Sequence, residues 1–136
     1  MNAIHTKRLH LKAGFFQLHD ITVSFPKEQI TAIVGPNGSG KSTLLQLLTR
    51  LVEADLGEVF INDKSAKAYK SIELAQALSM LTQSKSPLPD LTARELVSYG
   101  RSPYKRLFDR MTAEDEDIVS WAMKITGTSR HEQRMN

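Results

Sequence analysis

The chain has 136 residues, room for one domain with its own core. Its formal charge of +3 is spread over scattered Lys and Arg, so no basic stripe argues for nucleic acid, and the absence of cysteine excludes a disulfide framework and thiol chemistry. Met1 to Arg8 lack the apolar core of a secretion signal, and no apolar run approaches the roughly 18 residues of a membrane span; a cytoplasmic protein is expected.

In chain order, Leu9 and Leu11 alternate with polar neighbours as in a strand, and Gly14-Phe15-Phe16 reads as a turn. Ile21, Val23 and Phe25 alternate with Thr22 and Ser24, a half-buried strand ended by Pro26. These predict a small antiparallel β-layer. Gln29-Ile30-Thr31-Ala32-Ile33-Val34 is short, apolar and β-branched, the pattern of a buried parallel strand.

Next comes Gly35-Pro36-Asn37-Gly38-Ser39-Gly40-Lys41-Ser42-Thr43, which contains G-x-x-x-x-G-K-[ST], the phosphate-binding loop. A triphosphate crowds negative charge into a small volume. Backbone N–H groups can surround it only where no Cβ obstructs them, hence the glycines at 35, 38 and 40. The first unpaired amides of the following helix, and its dipole, add to the same field. Lys41 is placed to reach the outer phosphates as a mobile charge, and the Ser42 hydroxyl to ligate Mg²⁺. ATP and Mg²⁺ are therefore the expected ligands.

Leucines at 44, 45, 47, 48 and 51 predict a helix running to about Ala54. Asp55-Leu56-Gly57 closes it, and Glu58 to Asp63 reads as a strand. Ser71 is a candidate cap for a short helix with Ile72, Leu74, Ala75 and Leu78 on one face. Leu78 to Thr82 predicts a strand ending at Gln83, and Ser84 to Pro89 a loop. Thr92-Ala93-Arg94-Glu95 is a capping box, with Leu91 and Leu96 spaced as a staple, for a helix ending near Gly100. Thr112 opens another helix, acidic at 114–117, with Lys124 near its end and Gly127 as its stop. Its apolar stripe is Ile118, Val119, Trp121, Ala122 and Ile125, which assigns Trp121 to the core. Thr128 to Asn136 are polar, and His5, His10, His19 and His131 are read as surface residues.

With the loop and Gln83 placed, the chain resembles the ATP-binding subunit of ABC transporters from Leu9 to about Gly127. Gly57-Glu58-Val59 is similar to the strand after that family's first helix, and Gln83 to its Q-loop glutamine. Leu91-Thr92-Ala93-Arg94-Glu95-Leu96-Val97-Ser98-Tyr99-Gly100-Arg101-Ser102-Pro103-Tyr104 resembles the helical-subdomain stretch of ATPases serving iron-siderophore, haem and vitamin B12 importers.

The resemblance implies an α/β P-loop NTPase of ABC type with an N-terminal antiparallel β-layer. Residues 1–83 form the β-layer and core up to the Q-loop, and 84–136 the start of a helical subdomain. It implies catalytic roles for Lys41 and Gln83, metal contacts from Ser42 and Gln83, and adenine stacking by an aromatic. The family's usual Tyr before a Gly is Ala13 here; Phe15 or Phe16 is the candidate, and Phe15 is assigned. Implied partners are membrane permease subunits at the cytoplasmic face, a second copy of the subunit, and indirectly a substrate-binding protein. The LSGGQ signature, the acidic motif with the catalytic Glu, and the switch His lie downstream of these residues. The resemblance therefore implies an N-terminal portion, without turnover by itself. A non-transport ABC protein acting on DNA or ribosomes, and a nucleotide-binding module without turnover, are the alternative readings.

Overall fold

The computed structural model describes residues 1–83 and 90–131. It divides into two compact units, Met1–Met80 and Leu81–Asn136.

The first unit is built on an antiparallel sheet. Its strands are β1 (Asn2–Ala13), β2 (Phe16–Ile21), β3 (Ser24–Pro26), β4 (Leu56–Ile61) and β5 (Lys64–Ser65), in the order β2-β1-β4-β5, with β3 paired to the start of β1. Gly14 (φ +61) and Phe15 join β1 to β2, the two-residue turn that takes Gly at its first position. The predicted strand over 21–25 is divided between β2 and β3. Thr6, 1% exposed, spans the break: its Oγ1 donates to Ile21 O at 3.0 Å and accepts from Val23 N at 3.0 Å. Ile21, Val23 and Phe25 still point inward more than Thr22 and Ser24.

β1 carries the phase of the whole layer. Between its pairings Lys7↔Glu58 and His10↔Leu56 it holds one residue more than β4, a bulge with Arg8 at φ +47. Thr6 faces inward before the bulge, and Leu9 and Leu11 face inward after it. Without the extra residue the alternation would turn both leucines to solvent. β4 follows this kink through Gly57 (φ +88), where a Cβ would stand 2.3 Å from Arg8 O and 2.5 Å from Lys7 O.

Helix α1 (Lys41–Leu48) lays Leu47 and Leu48 into the core with Leu9, Leu11, Leu18, Val59, Ile61, Ala66 and Leu74, the last from helix α2 (Ser71–Ala77). α1 is shorter than its leucine pattern predicts. Thr49 Oγ1 donates back to Leu45 O at 3.0 Å, and Arg50 turns to φ +62. That turn sends the Arg50 guanidinium to Tyr69 O (2.6 Å) and Ala66 O (3.0 Å), and leaves Leu51 61% exposed. Asn62 and Asp63 are not strand, as expected from sequence, but a two-residue hairpin turn with φ +49 and +62, type I′, for which Asn is suited. Ser71 is the first residue of α2 rather than its cap. The cap position is Lys70, whose N–H donates to Glu73 Oε2 at 3.0 Å.

Neither predicted parallel strand forms. Gln29–Val34 and Leu78–Thr82 carry no strand pairing, and Ile30 and Val34 are largely exposed. A strand is completed by its neighbours' hydrogen bonds, and no described strand lies beside either segment.

In the second unit, α3 (Ala93–Ser98) is capped by Thr92, which accepts from Glu95 N at 3.1 Å. It runs into a 3₁₀ turn over Tyr99–Tyr104. α4 (Ala113–Ile125) opens at Thr112 as expected, with a Thr112–Asp115 capping box that the sequence reading did not single out, and ends before Gly127 (φ +73). Its buried row is Asp115, Val119 and Met123, spaced by four residues. Trp121 and Ile125 are 62% and 64% exposed, so the core assignment of Trp121 is overturned: the apolar arc is wider than the buried one, and these two residues lie on its flank. Asp115, 4% exposed, holds this unit together. It accepts from Lys105 Nζ (2.6 Å), Thr112 N (2.9 Å) and Arg101 Nε (2.9 Å). Lys105, the Thr112 amide and Arg101 hold its carboxyl well below the usual carboxylate range. The expected loop over Ser84–Pro89 and the tail from Glu132 lie outside the described residues.

Candidate phosphate-binding loop

Residues 35–40 form a turn that opens α1. Ser39 N donates to Pro36 O at 3.2 Å, which curls the loop, and Leu44 N donates to Gly40 O at 2.9 Å, which starts the helix. Between them, the amides of Gly38, Gly40, Lys41, Ser42 and Thr43 donate to no other described residue. They are the orphan donors of a helix start, collected in one exposed turn. No acidic side chain lies in the first turn of α1 to oppose an anion.

Lys41 is the first residue of α1, and its ammonium folds back into the loop. Nζ donates to the carbonyls of Gly35, in close contact, and Pro36, at 2.9 Å. The side chain thereby lies across the mouth of the turn, with its charge inside the ring of backbone.

The glycines are needed where they stand. Gly38 and Gly40 have φ of +83 and +97. A Cβ on Gly35 would stand 2.9 Å from Ser39 Oγ, and one on Gly40 would stand 2.5 Å from Phe16 Cζ and 2.9 Å from Leu18 Cδ2. The loop is thus a cradle that side chains would fill or distort, and it fits a phosphate group. Asn37 is exposed on its rim, and Ser42 and Thr43 follow Lys41 on the first turn of the helix, Ser42 exposed.

The Gly40 contacts show what fixes the cradle in space. β2 presses Phe16 and Leu18 against the residue that starts α1. Local spacing carries no signal of this packing, which joins the β-layer to the loop. Phe15, at the tip of the β1–β2 turn, is fully exposed, whereas Phe16 is half-buried against the core. Gln83 is exposed and belongs to the second unit.

A glycine-built turn that fits a phosphate, opening a helix that packs on an antiparallel layer, is the arrangement of an ABC-type nucleotide-binding fold. The ABC transporter family profile matches residues 18–135, and the chain belongs to that family. It is 39% identical over 120 residues to the petrobactin import ATP-binding protein FpuC of Bacillus anthracis, covering 88% of this chain and 44% of that protein. It is 36% identical to the iron(3+)-hydroxamate import ATP-binding protein FhuC of Bacillus subtilis (98% and 50%). It is 43% identical to the ferric enterobactin transport ATP-binding protein FepC of Escherichia coli (79% and 40%). The chain thus spans about half the length, or less, of these relatives. Among solved structures, an ATP-binding cassette of an ABC transporter in its ADP conformation superposes with a TM-score of 0.79 at 27% identity, over 98% of this chain and 57% of that one. No helix among the described residues is long and apolar enough to cross a membrane.

Proposed function

We propose that this chain is the nucleotide-binding portion of an ABC importer's ATP-hydrolysing subunit, with an iron-siderophore or related metal chelate as cargo. The observation that carries the nucleotide half is the loop, where orphan amides, a helix start and an inward-turned ammonium converge on one glycine-lined turn. The cargo half rests on the relatives, three of which are named for siderophore or ferric-hydroxamate import.

Bound Mg-ATP supplies the phosphoanhydride to be broken and the divalent charge that neutralises it. The chain's residues bind and position. The free amides of Gly38, Gly40, Lys41, Ser42 and Thr43 would donate to the phosphate oxygens. Lys41 exchanges its contacts with the Gly35 and Pro36 carbonyls for the outer phosphates. Ser42, exposed on the first turn of α1, offers its hydroxyl to Mg²⁺. Phe15 offers a free ring face to adenine. By the resemblance, Gln83 would be the glutamine that helps hold the metal and the attacking water and that couples nucleotide state to permease subunits at the cytoplasmic face. A second copy of the subunit completes the site.

Calorimetric titration with Mg-ATP tests the loop. Lys41→Ala removes a charge-assisted contact worth about 1.5–3 kcal/mol, so affinity falls about tenfold or more. Equal affinity in parent and variant defeats the assignment. Deleting the gene tests the cargo: uptake of ferric chelates is lost while sugars and amino acids still enter. In the whole subunit, Gln83→Ala lowers stimulated turnover and leaves ATP affinity within a few-fold.

A further inference from the structure

The solvent face of the β-layer carries a feature that the nucleotide reading does not use. His10 on β1 and His19 on β2 stand side by side, ring centroids 4.6 Å apart and planes at 81°. Two bulges bring them together. The extra residue at Arg8 turns His10 outward when Leu9 and Leu11 turn in. A second register shift lies between Leu9↔Ile21 and Leu11↔Leu18, where β2 holds one residue more than β1 and Asp20 takes φ +51. His19 is exposed and His10 half-buried, and neither imidazole hydrogen-bonds to another described residue. Glu58 lines the same groove as His10, and three other nearby charges are engaged elsewhere. Arg8 Nε lies 3.4 Å from Asp20 Oδ1, Lys7 Nζ lies over the Phe60 ring, and Asp55 Oδ2 accepts from Lys12 N.

We propose that His10 and His19 form a two-imidazole chelate for a divalent transition-metal cation, clamping β1 to β2. The spacing suits it. With a metal–nitrogen bond of about 2.0–2.1 Å, the metal stands roughly 3.2 Å from each ring centroid, so a right-angle pair of ligands needs centroids about 4.5 Å apart and a tetrahedral pair about 5.2 Å. The observed 4.6 Å matches the right-angle arrangement. The rings now meet edge to face, so one must turn about χ2 to aim its nitrogen, and that torsion is soft. Cu²⁺, with its tetragonal preference and its place at the top of the divalent affinity order, is the best-matched ion, followed by Ni²⁺ and Zn²⁺. Hard Mg²⁺ is not held by imidazole alone. Water completes the coordination.

The test is calorimetric titration of the chain with Cu²⁺ supplied as its glycine complex, and with Zn²⁺ chloride. The expected result is one Cu²⁺ per chain. His10→Ala and His19→Ala each weaken it by about tenfold or more, as loss of half a chelate requires, while His5→Ala and His131→Ala leave it unchanged. Both substituted positions are on the solvent face, and far-UV circular dichroism confirms that the variants fold; His19→Gln provides a second probe of the most exposed ligand. Electron paramagnetic resonance of the Cu²⁺ form should show two equivalent imidazole nitrogens. Undiminished binding in the His10→Ala/His19→Ala double variant, a one-nitrogen spectrum, or no Cu²⁺ binding by the parent each overturns the proposal.

Discussion

Substituting Gly40 by Ala separates the two things that residue does. The backbone there is left-handed, φ +97, which costs an L-residue about 1–2 kcal/mol. The new Cβ would also stand 2.5 Å from Phe16 Cζ and 2.9 Å from Leu18 Cδ2. Both neighbours are side chains packed in the core, so they give way only by leaving their rotamers, at about 0.5–1.5 kcal/mol each. The total expected loss is about 2–5 kcal/mol. Gly38→Ala is the internal control, because φ there is +83 with nothing within 4 Å of the added carbon, so only the backbone cost remains. Urea unfolding of both variants should place Gly40→Ala below Gly38→Ala by about 1–3 kcal/mol. Adding Phe16→Leu to Gly40→Ala should recover part of that difference, since the ring is the obstacle. If Gly38→Ala and Gly40→Ala are equally stable, or Phe16→Leu gives no relief, then β2 does not position the loop and the argument fails.

Gly57→Ala should be worse, because its Cβ meets the carbonyl oxygens of Arg8 and Lys7, which cannot rotate away without undoing the β1–β4 pairing; circular dichroism should report lost sheet. Asp115 makes the second unit acid-sensitive. Its folded-state pKa is depressed, so its stabilising contribution is complete above the ordinary carboxylate value of about 3.9 and is lost as pH falls below that. An acid titration followed by Trp121 fluorescence should show this loss, and Asp115→Asn should remove the pH dependence while lowering stability at pH 7. On α4, Met123→Ala should cost about 2–5 kcal/mol by cavity formation, whereas Trp121→Ser should stay within about 0.5 kcal/mol. A large effect at Trp121 would return it to the core.

The features legible in the sequence are those encoded within a few residues. The loop from Gly35 to Thr43 declares itself by spacing, the Thr92 cap by a hydroxyl three residues before Glu95, and the start of α4 by Thr112 ahead of an acidic run. What was not legible depends on distant partners. Gln29–Val34 has strand composition but no described strand to pair with, so propensity alone does not make it a strand. α1 stops early because Arg50 reaches carbonyls at Ala66 and Tyr69, a contact invisible in the leucine pattern. Both bulges of the β-layer, and so the meeting of His10 with His19, arise from the pairing of strands rather than from any one of them. Trp121 lies exposed within an apolar stripe because such a stripe does not say which of its edges is covered.

The posture of Lys41 bears on how its removal will look in a binding experiment. With its ammonium tied to the Gly35 and Pro36 carbonyls, the side chain acts as a strut that keeps the turn curled from within. On the proposed nucleotide-binding role, ligand arrival would exchange one set of oxygens for another and order little new backbone, which spares part of the entropy of association. Truncating the lysine removes the strut together with the charge. The slackened turn must afterwards be gathered by the nucleotide itself, so the deficit in a Lys41→Ala titration should fall partly in the entropy of binding and not only in its heat.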